Sequence, residues 1–302
     1  MKCLQMIITK VPIAVAVLAC LILLHSCTWI DPPDPAPAWL RIRPFSLATD
    51  PRSQGSASSN ITEAWVQING TFLGAYTLPA TVPILDTGNL EINISPGIRE
   101  NGISTTPDIY PFYQEINIRK NLPAGETLDI EPRIAYRSNV RFPLLEGFEN
   151  DGHAFQLLVK GNESNRIRIS RDNPFEGSGS GVIELNTQNP EVALATTSKY
   201  SGLTAKGAFV FLEMDYQSDV PVVFGVIATN KASGVSNVRF ISGFNPGLAW
   251  KKIYFNFSPE TSGSVSEDYQ VILRAAIPIN TDGTLSRTNA RVRLDNIKLV
   301  HF

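Results

Sequence analysis

The feature that most constrains this chain is a two-residue rhythm. In "AFVFLEMDY", Val210, Leu212, Met214 and Tyr216 fall in one phase, and Phe209, Phe211, Glu213 and Asp215 in the other. "KKIYFNF" sets Ile253, Phe255 and Phe257 on one side, and "LEINI" does the same with Leu90, Ile92 and Ile94. "WVQING" separates Val66 and Ile68 from Trp65, Gln67 and Asn69. Period two is the side-chain period of a strand. Runs of this kind recur along the chain, rich in Val, Ile, Phe and Thr and broken by Gly, Pro, Asn and Asp. No amphipathic helix of convincing length interrupts them. The 21 glycines and 21 prolines are scattered as punctuation. The fold class expected is all-β.

The runs divide near residue 140. Residues 39–140 offer five to seven strands, and residues 141–302 offer eight to ten. Both numbers suit a β-sandwich, small in the first part and larger in the second. Burying one such apolar face contributes about 1.5–3 kcal/mol per large side chain. Asn69-Gly70 supplies the positive φ angles of a tight hairpin turn. The last strand breaks its own rhythm. In "ARVRLDNIKLV" the apolar phase runs Val292, Leu294, then Ile297, Leu299, so the parity flips at Asp295-Asn296. A flip needs one extra residue, and a bulge inserts it. Such a bulge turns the Asp295 carboxylate out of the ladder, either toward a hard cation or onto backbone N–H groups.

The N-terminus carries a different signal. Lys2 and Lys10 precede an apolar run, residues 11–24, too short for the roughly 20 residues of a permanent span. Leu24-His25-Ser26-Cys27 resembles the lipobox of bacterial lipoproteins. The resemblance implies a signal peptide over residues 1–26, cleavage before Cys27, and a lipid on its thiol. Cys3 and Cys20 would leave with the signal, so the mature chain could form no internal disulfide. Residues 27–38, with Asp31-Pro32-Pro33-Asp34-Pro35-Ala36-Pro37, favour an extended polyproline form and read as a tether.

Two further resemblances bear on the folded parts. The stretch from "ING" to "LEINISPGI" is similar to small β-sandwich modules of envelope lipoproteins, including PEGA domains. Phe148-Glu149, Phe211 to Tyr216, Trp250 to Phe257 and Val292 to Val300 together resemble the jelly-roll, galactose-binding-like domains of Bacteroidota surface lipoproteins. This implies that the second sandwich is a jelly roll of the kind found in carbohydrate-binding modules. Members of that group often hold a structural calcium ion between an acid near the first strand and an Asp in the last. Carried across, the ligands are Glu149 and Asp295, with Glu146 and Asp151 nearby; the six to eight oxygens calcium needs are not all supplied.

The sequence presents no recognisable catalytic constellation. His25, His153 and His301 have no zinc spacing, no Cys nucleophile remains in the mature chain, and no Gly-x-Ser-x-Gly elbow occurs. "EGSGSGV" lacks the Lys of a phosphate loop and reads as a flexible loop. Glu213 and Asp215 lie two apart on one strand face, a spacing open to glycoside hydrolysis but commoner for acids on a wet sheet face. Residues 97–113 form a long link ending in Tyr110, Phe112 and Tyr113, either a binding platform or a plug over the sandwich end. The net charge of -2 gives no basic surface for nucleic acid. The expected function is a lipid-anchored envelope protein at the outer membrane that binds glycan or another envelope polymer and does not catalyse. An assembly lipoprotein with protein partners is the alternative, and a glycoside-active enzyme the third.

Overall fold

The computed structural model describes residues 36–105, 107–158, 166–203, 209–261 and 267–302. The N-terminal part holds β1 (Ala38–Ile42), β2 (Ser46–Ala48), β3 (Glu63–Ile68), β4 (Thr71–Thr77), β5 (Ala80–Ile84), β6 (Gly88–Arg99), β7 (Pro107–Ile109), β8 (Ile116–Leu122), β9 (Thr127–Ile130) and β10 (Arg133–Ala135). A five-stranded sheet runs β4-β3-β6-β7 with β8 also on β6, a three-stranded sheet runs β5-β1-β9, and β2 pairs with β10. Alternation explains the packing. Val66 and Ile68 of β3 and Ile92 and Ile94 of β6 share one core with Leu40 and Ile42 of β1 and Val82 and Ile84 of β5. Asn69 (φ +50°) and Gly70 (φ +78°) make the β3–β4 turn, both in the left-handed region as a two-residue hairpin requires.

The C-terminal part holds β11 (Arg141–Glu146), β12 (Phe155–Leu157), β13 (Arg168–Ser170), β14 (Ser180–Asn186), β15 (Glu191–Thr196), β16 (Tyr200–Ser201), β17 (Val210–Ser218), β18 (Val222–Asn230), β19 (Ser236–Phe244), β20 (Gly247–Asn256), the short helix α1 (Ser258–Thr261), β21 (Glu267–Ala276) and β22 (Asn289–His301). Two six-stranded sheets form. One runs β13-β14-β22-β17-β20 with β11 on β22, the other β12-β15-β21-β18-β19 with β16 on β21. The first and last strands, β11 and β22, are antiparallel neighbours. Val210, Leu212 and Met214 of β17 meet Phe224 and Val226 of β18 and Val271 and Leu273 of β21 in the core between the sheets. This is a jelly-roll sandwich.

The bulge lies where the parity breaks. Glu213 of β17 faces Lys298 and Asp215 faces Asp295, so two steps on β17 oppose three on β22. Asn296 takes up the extra residue at φ +50°. Val292, Leu294, Ile297 and Leu299 consequently all point into one core.

The two sandwiches meet on the outer face of β17, β20 and β22. Tyr110, Phe112 and Tyr113 are buried there with Ile98 and Tyr136 against Phe211, Tyr254 and Val300. The Tyr110 ring sits 5.2 Å from Phe211 and 5.0 Å from Tyr254, centroid to centroid. Of the two roles open to these rings, a platform and a plug, the structure gives a seam: they close one sandwich against the other and face no solvent. Asn101 N–H donates to the Tyr254 carbonyl (2.8 Å), and Asn256 N–H donates to Asn101 Oδ1 (3.0 Å). Among the described strands, no sheet contains members of both parts.

Candidate functional site

The outer face of the β13-β14-β22-β17-β20 sheet is divided. One half is the seam and the other is open, and the sequence-derived candidates fall mostly on the closed half. Glu213 and Asp215, expected on a wet face, are 0% exposed. Alternation puts them on the reverse side of β17 from the sandwich core, and the first sandwich then covers that side. Glu213 accepts hydrogen bonds from Tyr110 (2.6 Å) and Tyr136 (2.9 and 3.0 Å). Lys252 Nζ lies 3.5 Å from Glu213 Oε2 and 3.9 Å from Asp215 Oδ2. Asp215 accepts from Ser58 (2.8 Å) and Asn296 Nδ2 (3.0 Å), and its carboxyl is raised by burial against the pull of Lys252 and those donors. The segment 49–60 is a strap across this row. Lys298 Nζ donates to the Ser56 carbonyl (2.6 Å), and Asn60 N–H donates to the Tyr254 hydroxyl (2.8 Å). A pair of acids so enclosed has no path to a polymer substrate.

Glu149 and Asp295, the candidate calcium ligands, are each taken up by protein donors. Glu149 accepts from Ser178 N–H (3.0 Å), Ser178 Oγ (2.7 Å) and Gly179 N–H (3.2 Å). Burial raises its carboxyl, but these bonds outweigh burial and hold it below the usual value. Asp295 accepts from Phe175 N–H (3.1 Å), Glu176 N–H (3.3 Å) and Asn296 N–H (2.8 Å). Glu146 is likewise engaged by Phe148 N–H (2.8 Å) and Ala154 N–H (2.7 Å). Among the described residues, no group of three or more His, Cys, Asp or Glu side chains is placed to hold a metal. In this arrangement N–H and O–H donors occupy their lone pairs and organise the loops. The Gly-rich segment read as flexible is thereby clamped at both ends, by Asp295 at Phe175 and Glu176 and by Glu149 at Ser178 and Gly179. Cys27 lies outside the described residues.

The open half of the sheet carries a site missed by the sequence reading. A cavity of about 540 Å³ is bounded by Glu184, Asn186, Gln217, Asp219, Leu248 and Arg291, among others. Strand register builds it: Glu184 faces Arg291, Asn186 faces Asn289, and Gln217 faces Arg293. Arg291 Nη2 donates to Glu184 Oε1 (2.9 Å), and Arg291 N–H donates to Asp219 Oδ2 (2.9 Å). The Gln217 amide donates to the Leu248 carbonyl, and Leu248, 80% exposed, forms an apolar wall. Beyond the Glu184–Arg291 pair a second cavity of about 210 Å³ continues toward Asp172 and Arg168. The whole is a polar trough crossing strands, with planar donors and acceptors fixed on its floor and an apolar side. It suits a ligand with many hydroxyl groups and a C–H face. The signal was present, since Glu184 and Asn186, and Arg291 and Arg293, are the polar phase of their strands. Strand register, which the sequence does not state, is what brings them together.

Fold and trough define an all-β protein whose larger sandwich is a jelly roll with one face half open. No protein-family model matches the chain, and no curated protein matches it. Solved structures do. One is the CBM22-1 xylan-binding domain of Xyn10C from Paenibacillus barcinonensis, with 12% identity, 53% of this chain and 93% of that chain covered, and a TM-score of 0.34. Another is the family 11 carbohydrate-binding module of the cellulase Lic26A-Cel5E of Clostridium thermocellum, with 17% identity, coverage of 55% and 97%, and a TM-score of 0.37. A third is the CBM22-1-GH10 modules of Clostridium thermocellum xylanase 10B complexed with xylohexaose, with 8% identity, coverage of 53% and 28%, and a TM-score of 0.38. All three contain carbohydrate-binding modules; likeness at this level assigns neither ligand nor residue roles, and the jelly roll is defined by its strand pairing.

Proposed function

We propose that this chain is a lipid-anchored envelope protein, held at the outer membrane through Cys27, that binds glycan without catalysing. The trough carries the reading: fixed amides, carboxylates and guanidinium groups beside an exposed apolar wall, at the size of a ligand cleft. The enclosure of Glu213 and Asp215 supports a non-catalytic role, because this pair of acids, two apart on a strand face, is out of reach of substrate. Two or more acyl chains on Cys27 would give stable anchoring, and the proline-rich residues 27–38 would hold the sandwiches off the bilayer. Gln217→Ala and Asn186→Ala should abolish retention on polysaccharide, at a cost of about 1 kcal/mol of stability for each hydrogen bond they remove, from Gln217 to the Leu248 carbonyl and from the Gln188 and Asn189 N–H groups to Asn186. If retention persists in both variants, the trough is not the binding site. Cys27→Ala should move the protein out of the membrane fraction; an unmodified Cys27 thiol in mass spectra of the native protein would end the anchor reading.

One observation favours the alternative, an assembly lipoprotein. Edge strand β19 is paired on one side only and exposes Val238 and Phe240 at 52% and 46%. Such edges are templates for pairing with another chain. Crosslinking from β19 to an envelope protein, with no polysaccharide retained, would favour that reading.

A further inference from the structure

Acids and arginines along the trough come in equal numbers. Glu184, Asp219 and Asp172 line its two cavities together with Arg168, Arg291 and Arg293. Each acid is set against an arginine. Arg291 meets Glu184 at 2.9 Å, and Arg293 meets Asp172 at 3.0 Å while also donating to the Asp172 carbonyl. Asp219 takes the Arg291 N–H and faces Arg287 at 3.7 Å. Arg291 and Arg293 are thus each neutralised by a carboxylate, and Asp219 by Arg287 beside the trough, within a chain of net charge -2.

This balance discriminates between glycans. A polyanion is drawn by an unneutralised positive field. Here each sugar carboxylate or sulfate would have to compete with a protein carboxylate for its guanidinium and then lie beside that carboxylate, and like-charge juxtaposition of this kind is costly. Hydroxyl groups face no such conflict. A guanidinium has five N–H donors and a carboxylate about four lone-pair sites, so a paired Arg and Glu still offer donors and acceptors at fixed positions. Holding those groups in place before the ligand arrives lowers the entropy lost on binding.

We propose that the trough selects neutral polysaccharides and rejects polyuronates and sulfated glycans, because Glu184, Asp219 and Asp172 cancel the arginines beside them. The inference rests on the glycan reading of the same site.

The test is retardation of the detergent-solubilised full chain in gels containing one polymer each, at low and high salt. The neutral polymers are hydroxyethylcellulose, galactomannan and arabinoxylan; the acidic ones are polygalacturonate and alginate. Wild type should be retarded by a neutral polymer with little salt dependence, and bind polygalacturonate at least about tenfold more weakly. Glu184→Gln leaves Arg291 facing an uncharged amide and should gain polygalacturonate affinity by about tenfold, a gain erased by salt. Asp172→Asn, at a side chain 76% exposed, does the same for Arg293 and keeps the test alive if the first variant misfolds. Wild type binding polygalacturonate as tightly as any neutral polymer would overturn the proposal and leave the glycan reading standing. So would folded variants that gain nothing. Retardation by no polymer of either kind would overturn the glycan reading, and this inference with it.

Discussion

Asp295 shows how one buried residue links the fold to pH. Burial pushes its carboxyl up to about 7, against N–H donation from Glu176, Asn296 and Phe175 and with some help from Asp215. In the unfolded chain the same group titrates at its ordinary 3.8. The folded value is the higher one, so its contribution to stability is complete below about pH 4 and is lost as pH rises through about 7. Asp295→Asn removes the titration. The stability of wild type relative to this variant should fall between about pH 4 and 7 and level off above. Urea unfolding of both proteins across that range measures it, and a difference independent of pH would mean that Asp295 ionises normally. Lys298 lies in the same row. Burial brings it down to about 8, with Glu213 opposing, so a buried charge disfavoured in the fold is relieved only above that pH.

Among the elements, the clamped segment between β13 and β14 is the most sensitive to a small change. Gly177 has φ +67°, and a Cβ there would lie 2.2 Å from Glu149 Oε1. A left-handed residue with a side chain costs about 1–2 kcal/mol by itself, and the carboxylate would also have to leave the Ser178 and Gly179 amides. Gly177→Ala should lose about 2–4 kcal/mol of unfolding free energy, whereas Ser178→Ala, which removes one hydroxyl donor, should lose about 1 kcal/mol. Equal losses in chemical denaturation would show that the clamp is not the cause. The sequence displayed this region unevenly. Period-two alternation made β17 and β20 legible, and the broken parity of Val292, Leu294, Ile297 and Leu299 located the bulge, because both are local. Alternation says that a strand has two faces but not what covers them, so Glu213 and Asp215 read as wet acids. Glu149 stood out as an acid near the first strand, but its partners lie 29 and 30 residues away. The trough depends on Glu184 meeting Arg291 across 107 residues. Only strand register supplies that pairing.

At the scale of the molecule, the seam decides whether the two sandwiches behave as one body. Pulling them apart would expose Tyr110, Phe112 and Tyr113 on one side and Phe211, Tyr254 and Val300 on the other, all at most 2% exposed now. At about 1.5–3 kcal/mol of gross burial per large side chain, the loss from these six is large beside the net stability of about 5–15 kcal/mol of a whole domain. Separation would also strip Glu213 of its Tyr110 and Tyr136 donors and expose the row of Asp215, Lys252 and Lys298. The seam is therefore strong enough to couple the two sandwiches, and neither should melt alone. Wild type is expected to unfold in one calorimetric transition with matching calorimetric and van't Hoff enthalpies. Phe112→Ala removes a ring packed on Phe211 (5.8 Å) and Phe302 (4.8 Å) and should cost about 3–5 kcal/mol. Combined with Tyr110→Ala, it should weaken the seam below the cores and split the transition in two. Two transitions already present in wild type would mean that the sandwiches are independent. The same seam leaves the trough its place: covering half of the β13-β14-β22-β17-β20 face fixes that sheet against the first sandwich and leaves the ion-paired half open to solvent.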